Sequence, residues 1–161
     1  MRDDSELRSL SLLSWTLQIW SDHRRGVVQL GQMAAIAYCM EHHAEWWKDW
    51  ESAREFGEDP SATTRLAHIH NDAAIKAQLH RGDPREIKQL YNALQEKGFD
   101  EFQSIHTLAL ALMEENEYVR KNDDAFSRER YIERANRYVK EALSHPDLAR
   151  MPKAEGTASR H

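Results

Sequence analysis

DPREIKQLYNALQEKG, residues 83–98, carries in sixteen letters the grammar that decides the fold. An acid at Asp83 stands where a helix N-cap is wanted, Pro84 suits the first helical position, and Glu86 is placed to complete a capping box. Ile87, Leu90, Tyr91 and Leu94 then recur at spacings of three and four, the period of one helical face. Gly98 closes the segment, because a residue without a Cβ enters the left-handed C-terminal geometry at little cost.

The same pattern extends in both directions. Asp100 and Gln103 predict a second capping box, opening a helix through about Arg120 that carries Ile105, His106, Leu108, Leu110, Leu112 and Met113 around much of its circumference. A last helix is expected from about Ser127 to Leu143, burying Ile132, Ala135, Tyr138, Val139 and Leu143. Upstream, a helix is predicted from Ser5 to His23 on the stripe Leu7, Leu10, Leu13, Leu17 and Trp20. A longer one spans Val27 to Phe56, along which Ile36, Met40, His43, Trp47 and Trp50 step by four, three, four and three. The GEDPSATT stretch at 57–64 breaks it, and a further helix covers Ala62 to Leu79.

Alternating strand patterns are not sustained anywhere, and only six glycines and four prolines punctuate the 161 residues. The expectation is an all-α, single-domain helical bundle of about six helices over residues 1–144, with a small, polar and disordered tail over 145–161. A chain of this length buries roughly two-thirds of its unfolded surface, enough for a core without staples.

Composition narrows function by exclusion. The formal charge of −5, with Lys and Arg scattered among acids, opposes nucleic-acid binding. No apolar run approaches the roughly 18–20 residues that span a membrane, and the opening MRDDSELRSL has acids where an export leader needs a basic region. Cys39 is the lone cysteine and sits in an apolar run, which suits a reducing cytoplasm and excludes both a disulfide framework and a Cys-rich zinc module. There is no Gly-rich phosphate loop, no Gly-x-Ser-x-Gly elbow, no Glu-x-x-His and no His-Glu-x-x-His.

Three blocks give the chain a family likeness. WSDHRRG at 20–26 leads through an apolar helix to EHHAEWW at 41–47; AHIHNDAAIKAQL occupies 67–79; and Pro84, Ile87, Tyr91 and Leu94 precede HTLALALMEE at 106–115. Over about residues 15–140 the sequence resembles the bacterial family called domain of unknown function 1841. That family has a Trp and a His-Arg pair followed by His-Pro-Glu-Tyr-His, where His43 and Glu45 match, Ala44 replaces the proline and Trp47 the second histidine. It also has two histidines four apart, where His68 matches the first and Asp72 stands at the second. His106 and Glu114 match polar positions, and Leu110 replaces an acid between them. The family name supplies no activity.

Nine histidines are an unusual number for this length. His68 and Asp72, four apart, share a helix face; His106 and Glu114 lie two turns apart on another helix; His43 adds a third. Neutral imidazoles with carboxylates suit zinc or non-haem iron, so His43, His68, Asp72, His106 and Glu114 are the candidate ligands of a divalent metal. The alternative is a non-catalytic protein-interaction module with structural histidines, docking a protein partner around Trp46 and Trp50. His42, His70, His80 and His145 read as solvent-facing or loop residues, and the Glu114, Glu115 and Glu117 run as a largely solvated helix face.

Overall fold

A computed structural model describes residues 4–51 and 62–147, with side chains described from residue 12 onward and again from residue 64. All of the regular structure among the described residues is helical. Helix α1 covers Asp4–Arg24, α2 Gly31–His42, α3 Trp47–Glu51, α4 Ala62–Arg81, α5 Arg85–Glu96, α6 Glu101–Asn122 and α7 Arg128–Ser144; a 3-10 turn, Ala44–Trp46, separates α2 from α3. None of these helices is long and apolar enough to cross a membrane. The expected tail lies outside the described residues from 148 onward, as do the side chains of Leu7 and Leu10.

The described residues form two compact units, one within Met1–Ala73 and one within Ala74–Lys153; α4 begins in the first and ends in the second. In the first unit Ile19 and Trp20 of α1, Ala35, Ile36, Cys39 and Met40 of α2, Trp50 of α3, and Leu66, Ile69 and Ala73 of α4 make one buried cluster. Leu13, Leu17 and Trp47 pack against it half-buried. Gly26 ends α1 at φ +78°, where its N–H reaches the His23 carbonyl and the Val27 N–H reaches that of Asp22. That pair of bonds is the Schellman closure.

The expected helix from Val27 to Phe56 is the main departure. Residues 27–30 are irregular, and the helix that follows stops at His42. His43 adopts φ −103°, ψ 64°, outside the helical region. No glycine or proline causes this stop. Tertiary contacts hold it: the Trp47 indole N–H donates to the carbonyls of both Met40 and Glu41 at 3.1 Å, occupying acceptors at the end of α2 that a continuing helix would have bonded itself.

The second unit packs α5, α6 and α7 on one another. Ile87 and Leu94 of α5, Ile105, Leu108 and Leu112 of α6, and Tyr131, Ala135 and Val139 of α7 are among its buried residues. The C-terminus of α5 is closed as expected. Gly98 at φ +94° donates to Gln95, Phe99 donates to Leu94, and the Phe99 and Leu94 side chains are both buried. Asp100 and Gln103 form both halves of the capping box that opens α6. The other expected box is not made: α5 starts at Arg85 with Pro84 as its N-cap, and Asp83 and Glu86 both turn to the guanidinium of Arg128, at 3.3 and 3.1 Å.

Glu115 corrects the reading of its acidic run as a solvated face, for its side chain has no exposure at all. It accepts from Arg130 Nη2 at 2.8 Å, Arg134 Nε at 3.1 Å and the backbone N–H of Ser127 at 3.1 Å. Ser127 is also the N-cap of α7, so one carboxylate ties that helix's entry and first turns to α6. Burial pushes the Glu115 carboxyl up, but Arg130, Ser127 and Arg134 outweigh it and hold the group below its usual value near 4.5.

Because the folded value is depressed, the stability Glu115 contributes is fully present above about pH 4.5 and lost as pH falls through its folded value. In urea titrations across pH 3–6, Glu115→Gln is expected to lower stability at pH 6 and to flatten its fall toward pH 3. A parallel downward shift at every pH would refute the assignment. Trp47→Phe, which keeps a ring but removes the N–H, is expected to cost about 1 kcal/mol by the same titration at neutral pH; an unaltered midpoint would show that the indole cap does not hold the end of α2.

Candidate metal centre

Helix periodicity sets the first half of the site. His68 and Asp72 lie one turn apart on α4, and imidazole Nε2 stands 3.2 Å from carboxylate Oδ2. Asp72 is fully buried and His68 is 15% exposed. The second half comes from the stop at the end of α2. His43, 8% exposed, places Nε2 at 3.5 Å from the same Asp72 oxygen and Nδ1 at 2.7 Å from Glu45 Oε1. The rings of His43 and His68 meet edge to face with centroids 4.7 Å apart.

An aromatic wall fixes these rings. Trp46 lies flat against His43, centroids 4.3 Å and 15° apart, and meets His68 edge-on at 5.2 Å. Trp50, 2% exposed, meets Trp46 edge-on at 5.9 Å. The two tryptophans on which the alternative reading would dock a partner belong to the interior: Trp50 is core, and half-buried Trp46 covers the imidazoles.

The electrostatics of His43 follow from its two carboxylates. Burial works to lower its pKa, but the nearby carboxylates of Asp72 and Glu45 override burial and raise it above the ordinary imidazole value of 6.5. A cation held at Nε2 would take the lone pair there and leave the Nδ1–H of His43 donating to Glu45.

A ligand atom from each of His43, His68 and Asp72 lies within 4.8 Å of the others. Donors about 2.0–2.2 Å from a tetrahedral zinc stand about 3.3–3.6 Å from one another. The distances of 3.5 and 3.2 Å at Asp72 are close to that spacing. Two imidazoles and one carboxylate suit zinc, and equally the two-histidine, one-carboxylate set of non-haem iron. The residues present fit a divalent ion with three protein donors.

The other expected ligands are placed differently. His106 and Glu114 are on α6, in the second unit, and are not in this group of three. Glu114 pairs with Arg137 and, at 3.5 Å, with Arg134. Two of the histidines expected at the surface are engaged instead. His70 Nε2 lies 3.0 Å from the Thr16 hydroxyl oxygen and stacks on Trp15; that hydroxyl donates to the Leu12 carbonyl, so the His70 Nε2–H is the donor between them. Burial lowers the His70 pKa. His42 places Nδ1 2.8 Å from the Tyr38 carbonyl and packs on the Tyr38 ring. His80 and His145 are exposed as expected.

Compared with protein-family models, with curated proteins and with solved structures, the chain gives no match.

Asp72 Oδ2 is the atom that both imidazole Nε2 atoms approach, so its removal exposes the site's dependence on it. Asp72→Ala is expected to lower the stability of metal-free protein by about 1–3 kcal/mol in chemical denaturation, the cost of leaving buried polar groups unanswered. A loss below a few tenths of a kcal/mol would mean that the carboxylate does not organise the two rings.

Proposed function

We propose that this chain is a divalent-metal protein that holds zinc or iron through His43 Nε2, His68 Nε2 and an Asp72 carboxylate oxygen. The observation that supports it most directly is the convergence of both imidazole Nε2 atoms on one buried carboxylate oxygen. Three protein donors leave a coordination position open, the mark of catalytic rather than structural zinc sites. A bound ion would supply Lewis acidity there, activating a water or polarising a substrate oxygen. The residues of the chain orient the donors, and Trp46 covers the His43 face against bulk water. A reducing, cytoplasmic setting and membership of the family of domain of unknown function 1841 belong to the same proposal, the first resting on the single buried Cys39, the second on the residue blocks that resemble it.

A second reading, a non-catalytic interaction module, has one observation in its favour: Val27, Val28, Leu30 and Met33 are exposed, Val28 at 86% and Leu30 at 78%. On that reading the histidines are structural and the chain needs no ion.

Elemental analysis separates the two on protein purified without a histidine tag or chelating resin. The metal reading expects near-stoichiometric zinc or iron that is lost in His68→Ala and Asp72→Ala and kept in His106→Ala. Protein that takes up no metal after reconstitution with either ion would overturn it. Loss of the metal in His106→Ala with the fold intact would show that the ligand set extends beyond these three.

A further inference from the structure

An imidazole has two nitrogens, and a neutral ring offers a lone pair from only one. Which one is decided by where the other's proton is held. His43 has both nitrogens engaged, and unequally. The Nδ1 contact with Glu45 Oε1, 2.7 Å, is the length of a strong charge-assisted hydrogen bond. The Nε2 contact with Asp72 Oδ2, 3.5 Å, is beyond the usual range for such a bond, yet suits two donors on one ion. The proton therefore belongs on Nδ1, and Nε2 is left facing Asp72 and His68.

Glu45 reaches Nδ1 only because the helix stops. Residues two apart in a continuous α-helix point to nearly opposite sides and do not meet. At φ −103°, ψ 64° His43 leaves the helical path, and the 3-10 turn Ala44–Trp46 brings Glu45 back across its ring. Trp46, the next residue, lies on the face of that ring, centroids 4.3 Å apart. Three successive features of one turn thus act on a single imidazole: the stop frees it, Trp46 limits its tilt and Glu45 selects its tautomer. Glu45 itself is 44% exposed, so its carboxylate needs nothing from this contact to satisfy its own solvation.

We infer that Glu45 is the positioning residue of the metal centre, a carboxylate that binds no ion but, through the Nδ1–H of His43, presents Nε2 as the ligand atom. This rests on the metal reading above. It assigns the exposed carboxylate beside the site to the outer sphere, leaving His43, His68 and Asp72 as the ligand set among the described residues. Carboxylate–histidine–metal relays of this kind typically change metal affinity tenfold to a hundredfold when the carboxylate is removed.

The test is a zinc titration of intact protein, Glu45→Gln, Glu45→Ala and His68→Ala against a competing chelator. Beside it run the visible absorption spectra of the cobalt(II)-loaded proteins and the thermal melts of the metal-free ones. Intact protein is expected to bind near-stoichiometric zinc. Glu45→Ala should keep that stoichiometry with affinity lowered about tenfold to a hundredfold. Glu45→Gln, which still offers Nδ1–H an uncharged acceptor, should recover part of the loss, and His68→Ala should lose binding. The cobalt spectrum of Glu45→Ala should match that of intact protein, because the ligand set is the same; a merely structural role would leave metal affinity tracking the metal-free melting temperature.

Unaltered zinc affinity in Glu45→Ala, beside loss in His68→Ala, overturns this inference and leaves the metal reading standing. A changed cobalt spectrum in Glu45→Ala overturns it differently, by making Glu45 a ligand. Affinity losses matched by an equal fall in metal-free stability would reduce Glu45 to a fold contact. If intact protein binds neither zinc nor cobalt, the metal reading and this inference fail together.

Discussion

Asp72 carries its carboxylate where no water reaches, on the inner face of α4. Taking such a charge out of water costs on the order of several kcal/mol unless groups able to carry positive charge are brought to it. In the first unit they are brought from two directions. His68 arrives for nothing more than helix pitch, one turn away on the same element. His43 arrives only because α2 ends, the chain turns, and the Trp47 indole takes over carbonyls left at the helix end. The local irregularity of residues 43–46 is thus the geometric condition under which a buried acid in an otherwise apolar cluster finds its second partner.

The second unit solves the same problem with a different chemistry. Glu115 is as deeply buried as Asp72, but its donors are guanidinium groups and a backbone N–H rather than imidazoles. Arginine remains charged throughout the biological range, so that arrangement is a fixed clamp between α6 and α7. Imidazole exchanges its proton, or gives its lone pair to a cation, near neutrality. Two buried acids on two helices are therefore matched with permanent donors in one case and with exchangeable ones in the other. This contrast in donor chemistry is why the chemical reading centres on Asp72 and the purely structural one on Glu115.

What the sequence made legible follows from the range of the interactions involved. Gly98 and the Asp100–Gln103 box announced their helix ends because the contacts that define them span only a few residues. His68 and Asp72 were legible for the same reason, and His43 by its place on an apolar stripe. The stop at His43 was not, because EHHAEWWKDW holds no glycine or proline to mark it; it is held by the Trp47 indole on the carbonyls of Met40 and Glu41 and by the approach of His43 to Asp72 of α4. Glu45 was hidden with it, since its contact exists only once the helix has ended. Glu115 does carry a signal in the sequence: Leu108, Leu112 and Glu115 step by four and three along α6, the phase of a buried face, and Arg130 and Arg134 are spaced to face it together from α7. His106 and Glu114, two turns apart, shared a helix without that phase relation to the apolar stripe.

The placement of His68 and Asp72 within one helical turn has a consequence for selectivity. With a rise of about 1.5 Å per residue, their Cα atoms are separated by about 6 Å along a rigid rod, so toward an ion the pair would act as an arm whose spacing is set largely by backbone pitch. The third donor has no such constraint, since it is delivered by a non-helical residue whose position depends on how Trp46 and Trp47 seat the turn. Discrimination between ions of different radius would then reside at residue 43 and in the aromatic side chains behind it. Substitutions at Trp46 or Trp47, neither of which offers a donor atom to a cation, become the means by which ionic size preference could drift while the ligands stay the same.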